Sequence, residues 1–272
     1  MSGFPFHKME ACGNDFVVVY RADLPPDASP DLAVAVCDRH FGVGADGILV
    51  VDLDPLRMTV WNADGSVAEM CGNGLRCVVR RAVDDGRWSP GPDGRGTMHA
   101  ATGAIPFVLV GDLVRVTLDP PVLSGALEAI PSEGRTIRGY AVDMGNPHFV
   151  VFDADQDEGL PDLLSWAPAL ETHPRFPMRT NVEHVRVAED GTLRVRVWER
   201  GVGETLACGS GACAVAAAAV RAGRGAADPA LVALPGGLLS VFWSGAADAA
   251  IDLQGPARTV FAGQTQGDEE RP

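Results

Sequence analysis

Short runs in which apolar and polar residues alternate dominate the chain. "ILVVDLDPLRMTVW" from Ile48, "AIPFVLVGDLVRVTL" from Ala104 and "TLRVRVW" from Thr192 all repeat with a period close to two. That period puts every second side chain on one face of an extended chain, so these stretches predict antiparallel or mixed β-strands. Helical patterns are few. "SPDLAVAVCDRHFG" predicts a helix with Ser29 as N-cap and Pro30 in its first turn, and "LPDLLSWAPALETHP" predicts another with Pro161 in the equivalent place. Two more helices are expected to open inside "EMCGNGLRCVVRRAV" at 69–83 and "GETLACGSGACAVAAAA" at 203–219. Such a pattern is not that of a doubly wound parallel sheet, in which strands and helices alternate.

The order of elements occurs twice. "VWNADGSVAEMCGNGLRC" from Val60 is matched by "VWERGVGETLACGSGAC" from Val197, and in each a Trp precedes a Cys by ten residues: Trp61 and Cys71, Trp198 and Cys208. At the same offset "ILVV" at 48–51 faces "VRVA" at 185–188, and "CGNDFVVVYRAD" from Cys12 resembles "MGNPHFVVFDAD" from Met144. Chance explains one such pair, not four in the same order. Two homologous α/β (α+β) halves are therefore expected: residues 1–118, to which 256–272 returns as a further strand, and 119–255. The Pro-rich "LDPPVLSG" at 118–125 is the expected joint.

Composition narrows the function classes. A length of 272 residues suits two domains, and 46% apolar with 21% charged residues suits a globular protein with a real core. A net charge of −14 argues against binding nucleic acid or an anionic membrane through a basic face. "MSGFPFHKME" is no signal peptide, and the Ala/Val run Ala212–Val220 is too short for a bilayer, so a cytoplasmic location is expected. Six cysteines then read as reduced thiols, and the spacings Cys71–Cys77 and Cys208–Cys213 do not match a zinc knuckle, so no metal is expected. Lys8 is the only lysine, hence the sole candidate for a pyridoxal-phosphate Schiff base; with no phosphate cradle beside it, it reads as a solvated surface charge.

One literal motif misleads. "GVGADG" at 42–47 matches the dinucleotide pattern G-x-G-x-x-G, but a helix end precedes it and a strand follows, the reverse of what that site needs. Gly42 reads instead as a left-handed helix C-cap before a tight turn. "GRWSPGPDGRGT" at 86–97 reads as a solvated loop and the tail "GDEERP" as a disordered terminus.

The two cysteine turns carry the candidate chemistry. Cys208 stands before Gly209 and Gly211 at the mouth of an Ala-rich helix, and Cys71 has Gly72, Asn73 and Gly74 in the same place. A helix N-terminus presents free N–H groups and the positive end of the dipole, which should lower a thiol pKa and can hold a carboxylate. The glycines would leave the backbone open to another molecule. Cys12, Cys37, Cys77 and Cys213 read as small buried hydrophobes. Two opposed thiols about a carbon acid suggest inversion of a stereocentre, one removing a proton from one face and the other returning one to the opposite face. Oriented N–H donors would steady the charge that develops on the substrate.

These residues resemble the diaminopimelate epimerase family, pyridoxal-phosphate-independent enzymes of lysine and cell-wall precursor synthesis. "GNDF" at 13–16, "GVGADG" at 42–47, "NADGSVAEMCGNGLRC" at 62–77, "GNPH" at 145–148, "TNVEHV" at 180–185 and "ERGVGETLACGSGAC" at 199–213 carry the resemblance, which covers essentially the whole chain. It implies two pseudo-twofold-related halves, each a curled, mostly antiparallel or mixed sheet around a central helix, with the active site in the cleft between them. It implies conversion of LL-2,6-diaminoheptanedioate (LL-diaminopimelate) to the meso form without a cofactor or metal, with Cys71 and Cys208 as the catalytic pair. By the family's labelling Cys71 donates and Cys208 accepts. Gly72, Asn73, Gly209 and Ser210 would hold the reacting carboxylate. Asn14, Asn62, Asn146, Asn181, Glu199 and Arg200 match substrate-binding positions, Arg200 suiting the distal carboxylate. His148 and Glu199 would adjust the thiols. A small-molecule substrate is the implied partner, with a homodimer as a possible assembly. Racemisation of another amino acid on the same scaffold and a non-catalytic binding role are the competing readings. Gly47 stands where some members carry Gln, so only backbone contacts are expected there.

Overall fold

In the computed structural model, which describes residues 3–224 and 228–266, the chain falls into two compact units. One comprises the residues up to Val116 together with those from Gly255 onward, the other Thr117–Gln254. The acidic tail 267–272 lies outside the described residues.

The first unit is a mixed sheet. Its strands are β1 (Pro5–Ala11), β2 (Asn14–Tyr20), β3 (Gly47–Leu53), β4 (Leu56–Asn62), β5 (Val67–Ala68), β6 (Arg95–Ala100), β7 (Gly103–Val110) and β8 (Leu113–Leu118). The helices are α1 (Asp31–Val36) and α2 (Gly72–Asp84). β1 is antiparallel to β2, β2 parallel to β3, and β3 antiparallel to β4. β4 then pairs with β5 antiparallel and with β6 parallel, and β6, β7 and β8 form an antiparallel meander.

The second unit repeats that order. Strands β9 (Val122–Leu123), β10 (Glu128–Ser132), β11 (Arg135–Asp143), β12 (Pro147–Phe152), β13 (Asn181–Val187), β14 (Leu193–Glu199), β15 (Gly203–Thr205), β16 (Ala230–Leu234), β17 (Gly237–Phe242) and β18 (Ile251–Pro256) accompany helices α3 (Ala167–Glu171) and α4 (Gly209–Ala222). From β11 to β18 the pairings run as they do from β1 to β8, including parallel β12–β13 and β14–β16. The last strand, β19 (Arg258–Gln264), pairs antiparallel with β1.

Alternation explains the pairing faces. Along β4, Leu56, Met58 and Val60 are buried while Arg57 is exposed, and along β14, Leu193, Val195 and Val197 are buried while Arg194 is exposed. β3 is buried on both faces, since α1 packs on the side of Ile48 and Val50 and α2 on the side of Leu49. In the second unit α3 takes the face of Phe149 and Val182. The opposite face receives α4, whose residues from Gly211 to Ala219 are all buried among the strands. Alanine suits a helix so enclosed, because larger side chains would hold the sheet away. Gly223, in the left-handed conformation at φ 65°, ends it.

Register corrects one detail of the repeat. Trp61 faces Ile48, whereas Trp198 faces Val182. "ILVV" at 48–51 therefore corresponds to "VEHV" at 182–185 and not to "VRVA" at 185–188. The cause is the hairpin loop, which comprises Asp54 and Pro55 in the first unit but runs from Ala188 to Thr192 in the second. Leu49 and Glu183 are thus counterparts, as are Phe16 and His148 one strand away.

Several local expectations also change. Pro30, not Ser29, is the N-cap of α1, and the Ser29 carbonyl accepts from the Leu32 amide. The second predicted helix is broken: a 3-10 turn at Leu163–Ser165, capped by Asp162, precedes α3. The left-handed residue of "GVGADG" is Gly44, at φ 76°, rather than Gly42. Gly42 is needed for close approach, since a Cβ there would lie 2.3 Å from the Ala35 carbonyl oxygen and 2.6 Å from that of Val36. Lys8 is buried, not solvated: it ion-pairs with Asp15 and donates to the Gly44 carbonyl, a site its sequence neighbours do not announce. The 86–97 stretch is only partly loop, because Arg95 begins β6 and Trp88 packs against Phe107 with ring centroids 5.6 Å apart. Among the described residues no helix is long and apolar enough to cross a membrane, which says nothing of a β-barrel.

Candidate active site

Each unit places a cysteine at the mouth of its enclosed helix. Cys71 is the N-cap of α2, with extended backbone, and its Sγ accepts from the Gly74 amide at 3.4 Å. Cys208 is the N-cap of α4 and accepts from the Gly211 amide at the same 3.4 Å. A sulfur in place of the usual Ser or Asp oxygen satisfies one first-turn donor and leaves neighbouring amides, from residues such as Gly72, Asn73, Gly209 and Ser210, at the open end of a helix. That end favours a carboxylate.

Around Cys71 two neutral groups come into hydrogen-bond range, the Gly74 amide and the Asn14 carboxamide. Its thiol reaches Asn14 Oδ1 at 3.8 Å, and Asn73 Nδ2 donates to the same oxygen at 3.3 Å. Asn14 in turn donates through Nδ2 to Asp46. Behind the mouth Arg76 is wholly buried and donates to Asn73 Oδ1 at 2.8 Å, to the Gly72 carbonyl at 3.4 Å and to the Pro256 carbonyl at 3.2 Å. Asp15, which accepts from Lys8 and Arg39, is pushed up by burial, yet those two cations hold its carboxyl below the usual range.

Around Cys208 the partners include ionisable groups. Ser210 Oγ lies 3.5 Å from Sγ, and Asn146 Nδ2 donates to Ser210 Oγ at 3.4 Å. Asn146 Oδ1 is 3.0 Å from His148 Nε2, and His148 Nδ1 is 2.6 Å from Glu183 Oε1. Both His148 and Glu183 side chains are fully excluded from solvent. Glu199 accepts from Thr205 Oγ1 at 2.5 Å and also hydrogen-bonds the Cys208 thiol.

This setting reverses the expected shift at Cys208. Burial, then the charges of Glu199 and Glu183, push its thiol well above the ordinary range, and the hydrogen bonds from Ser210 and Gly211 only partly offset them. The helix N-terminus favours the thiolate, but desolvation and two nearby carboxylates outweigh it. Glu199 is raised as well, chiefly by burial, which makes it a stronger proton acceptor next to that thiol. The remaining cysteines are inert in character: Cys12, Cys37, Cys77 and Cys213 are buried, and burial lifts the Cys37 thiol to about 11 and raises those of Cys12 and Cys77.

Other predicted binding residues have structural partners. Asn62 closes its own turn, with Nδ2 donating to Ser66 Oγ at 2.8 Å. Asn181 donates to the Pro147 carbonyl at 2.9 Å and accepts from the Arg200 amide at 2.9 Å, so it ties the end of β14 to β12. The Arg200 guanidinium donates to the Met178 carbonyl at 3.0 Å. Gly211 is not open to a visitor as expected: a Cβ there would meet Glu183 Oε1 at 2.8 Å. Sequence reasoning passed over Arg76, Asp46 and Glu183. The last had a signal, a carboxylate in a strand whose neighbours Val182 and Val185 are core residues. Among the described residues no group of His, Cys, Asp and Glu is arranged to hold a metal ion.

Comparison with known proteins identifies the family and the fold. A profile of the diaminopimelate epimerase family matches residues 6–91 and 140–260. A diaminopimelate epimerase from Synechococcus sp. strain JA-2-3B'a(2-13) is 44% identical over 286 residues, covering 96% of this chain and 98% of the relative. One from Desulforudis audaxviator is 44% identical over 282 residues, covering 95% and 98%. Among solved structures, a hydroxyproline epimerase from Agrobacterium vitis with bound trans-4-hydroxy-L-proline superposes with a TM-score of 0.73 at 15% identity, over 98% of this chain and 94% of that one. A phenazine biosynthesis protein of the PhzF family from Bacillus anthracis gives 0.73 at 15% identity, over 98% and 100%. At that identity the likeness is one of fold.

Proposed function

The chain belongs to the diaminopimelate epimerase family, and on that premise we propose that it interconverts LL- and meso-2,6-diaminoheptanedioate without a cofactor, as an isomerase of lysine and cell-wall precursor synthesis. The observation that carries the reading is the pair of sulfurs, Cys71 and Cys208, each capping the enclosed helix of one of two units with the same strand order. In this reading the two act on opposite faces of one α-carbon. One sulfur, as thiolate, takes the α-proton, and the other, as thiol, delivers a proton to the far face. The helix-mouth amides at Gly72, Asn73, Gly209 and Ser210 hold the α-carboxylate and stabilise the charge that builds on it. Asn14 and Asn146, counterparts beside the two sulfurs, orient the amino acid, while Asn62, Asn181 and Arg200 serve the distal end.

Proton supply follows from the acid–base setting. Burial and two carboxylates keep Cys208 as a thiol at rest. To become the base it passes its proton to Glu199, whose proton affinity is raised by burial. The thiol–carboxylate pair keeps the same total charge in both forms, and the two sites titrate as one coupled system. Lys8 is tied to Asp15 and Gly44, which leaves it unsuited to an imine. Six free cysteines suit a reducing cytoplasm.

The test is deuterium uptake at Cα in heavy water. The wild-type chain should exchange and invert diaminopimelate. Cys71→Ala and Cys208→Ala should each lower turnover by about 10²–10⁴-fold, the range for a lost acid–base group, while retaining at most one-sided exchange. Exchange confined to amino acids with one stereocentre would favour the racemase reading. Unchanged function in both variants would favour a binding module.

A further inference from the structure

The duplicated units differ beneath their sulfurs. In the first, Leu49 supports the helix mouth: a Cβ on Gly74 would lie 3.0 Å from Leu49 Cδ2. In the second, its counterpart Glu183 does so, with Oε1 2.8 Å from a Cβ on Gly211. One strand away, Phe16 of the first unit is matched by His148 of the second. An apolar pair in one unit is thus an imidazole–carboxylate pair in the other, with zero solvent exposure. Burying such groups costs several kcal/mol unless each is well hydrogen-bonded, so packing alone favours the apolar version.

The hydrogen-bond directions assign a task to the costlier pair. Asn146 directs Nδ2 to Ser210 Oγ at 3.4 Å, which leaves Oδ1 facing His148 Nε2 at 3.0 Å. A carboxamide oxygen only accepts, so Nε2 carries a hydrogen. At the other ring nitrogen, Glu183 Oε1 at 2.6 Å requires one proton between the two atoms. Two bare lone pairs at that distance would repel. The Glu183–His148 pair therefore holds two protons in all, one on each side of the ring, with no net charge. Ser210 Oγ, at the end of the chain, lies 3.5 Å from Cys208 Sγ.

We propose that Glu183 is a positioning residue for Cys208: by holding a proton at His148 Nδ1 it commits Nε2–H to Asn146, and Asn146 to Ser210 beside the sulfur. The role rests on the epimerase reading for its kinetic consequence but not for the state of the ring. Gly211 belongs to the same device, because only a residue without Cβ lets the carboxylate lie against the capped turn.

Two measurements test it on the full chain. Nitrogen-15 NMR of histidine-labelled protein, with the His148 resonances assigned through His148→Gln, reads the ring directly. The wild type at neutral pH should show hydrogen at both ring nitrogens, or one strongly shared with Glu183, and Glu183→Gln should show a plain neutral ring. The titratable groups facing the pair are Glu199 and Cys208, so the spectrum of Glu199→Gln serves as control and should keep the wild-type ring. In steady-state kinetics, Glu183→Gln should lower kcat about tenfold to a hundredfold, the scale of a reacting group misplaced by about 1 Å, and raise KM because Asn146 and Ser210 also hold the substrate. A wild-type ring with a single, unshared hydrogen overturns the proposal, and so does wild-type kcat in Glu183→Gln. A purely structural Glu183 would lower stability and leave the ring state unmoved. Wild-type protein inert toward diaminopimelate would sink the epimerase reading alone, since the ring spectrum is taken without substrate.

Discussion

Arg76 offers a test in which opposing terms can be weighed. Its guanidinium is fully buried behind the Cys71 mouth and bonds Asn73 Oδ1 at 2.8 Å and the Pro256 carbonyl at 3.2 Å, with a weaker contact to Gly72 at 3.4 Å. Substitution by methionine keeps most of the volume, so the cavity term is small. Hydrogen bonds from a charged donor contribute about 1.5–3 kcal/mol each, so the two good ones contribute about 3–6 kcal/mol. Relief of the desolvation cost of a buried cation works the other way and recovers part of that sum. Two acceptors, however, are left without this partner in the interior, and each costs about 1–3 kcal/mol. The net expectation for Arg76→Met is a loss of about 2–4 kcal/mol, confined to the first unit.

Hydrogen exchange locates the loss. Pro256 lies just before β19, which pairs with β1, so amides of these strands should open more easily by that amount. Amides of α4, in the other unit, should keep their protection. KM should rise as well, because Asn73 loses the anchor that turns it toward Asn14. A change below about 1 kcal/mol at β1 and β19, on the hydrogen-bond scale used here, would show that desolvation relief balances the lost bonds. Equal loss in α4 would show that the residue acts on global stability, and either result refutes the reasoning.

Two further outcomes follow from the second unit. Glu199 has a raised pKa when folded, so its contribution to stability is full below the ordinary carboxylate range and is lost as pH rises through the raised value. Protection of α4 amides should therefore fall in the wild type as pH rises above the ordinary carboxylate range, and Glu199→Gln should flatten that trend; an unchanged slope would contradict the assignment. Replacing Glu183 alone by leucine strands the buried His148 and should cost about 3–5 kcal/mol, whereas Glu183→Leu with His148→Phe restores the pattern of the first unit and should cost much less. Denaturant titration of these two and of His148→Phe alone measures the coupling, and simple additivity would mean that the two side chains are independent.

Local periodicity made much of the fold legible. The strands around Ile48, Ala104 and Thr192 announce themselves because alternation is a property of a few neighbouring residues. The cysteine turns are legible for the same reason, as a cap, its glycines and the helix they open occupy one short stretch. Features that depend on distant partners are not. Lys8 looks like a surface charge until Asp15 and the Gly44 carbonyl close around it. Gly42 looks like a cap until the carbonyls of Ala35 and Val36 show that it lies too close for a side chain. The strand match failed at "VRVA" because a longer hairpin loop shifts register without altering composition. At Cys208 the helix end was visible in sequence, while the burial that outweighs it, and the carboxylates that add to it from β13 and the end of β14, depend on distant segments.

That last difference bears on how a duplicated scaffold performs a reaction that is not symmetric at any instant. Inversion by two sulfurs requires one thiolate and one thiol at the start of each turnover. Identical surroundings would leave the two with equal proton affinity and no preferred starting state. Here Cys71 has Asn14 Oδ1 and the Gly74 amide as partners, with Leu49 and Phe16 at the positions below. Cys208 is buried, and that burial, then the charge of Glu199, opposes a thiolate on that sulfur and keeps its proton in place. On the epimerase reading, repetition of the fold supplies two equivalent helix mouths, and the burial of Cys208 beside Glu199 and Glu183 holds a proton on that sulfur at rest. The same carboxylates let the cycle run backward, because Glu199 can take the Cys208 proton when the other isomer binds. An enzyme with apolar residues at both carboxylate positions would keep the geometry of inversion while losing control of where its protons start.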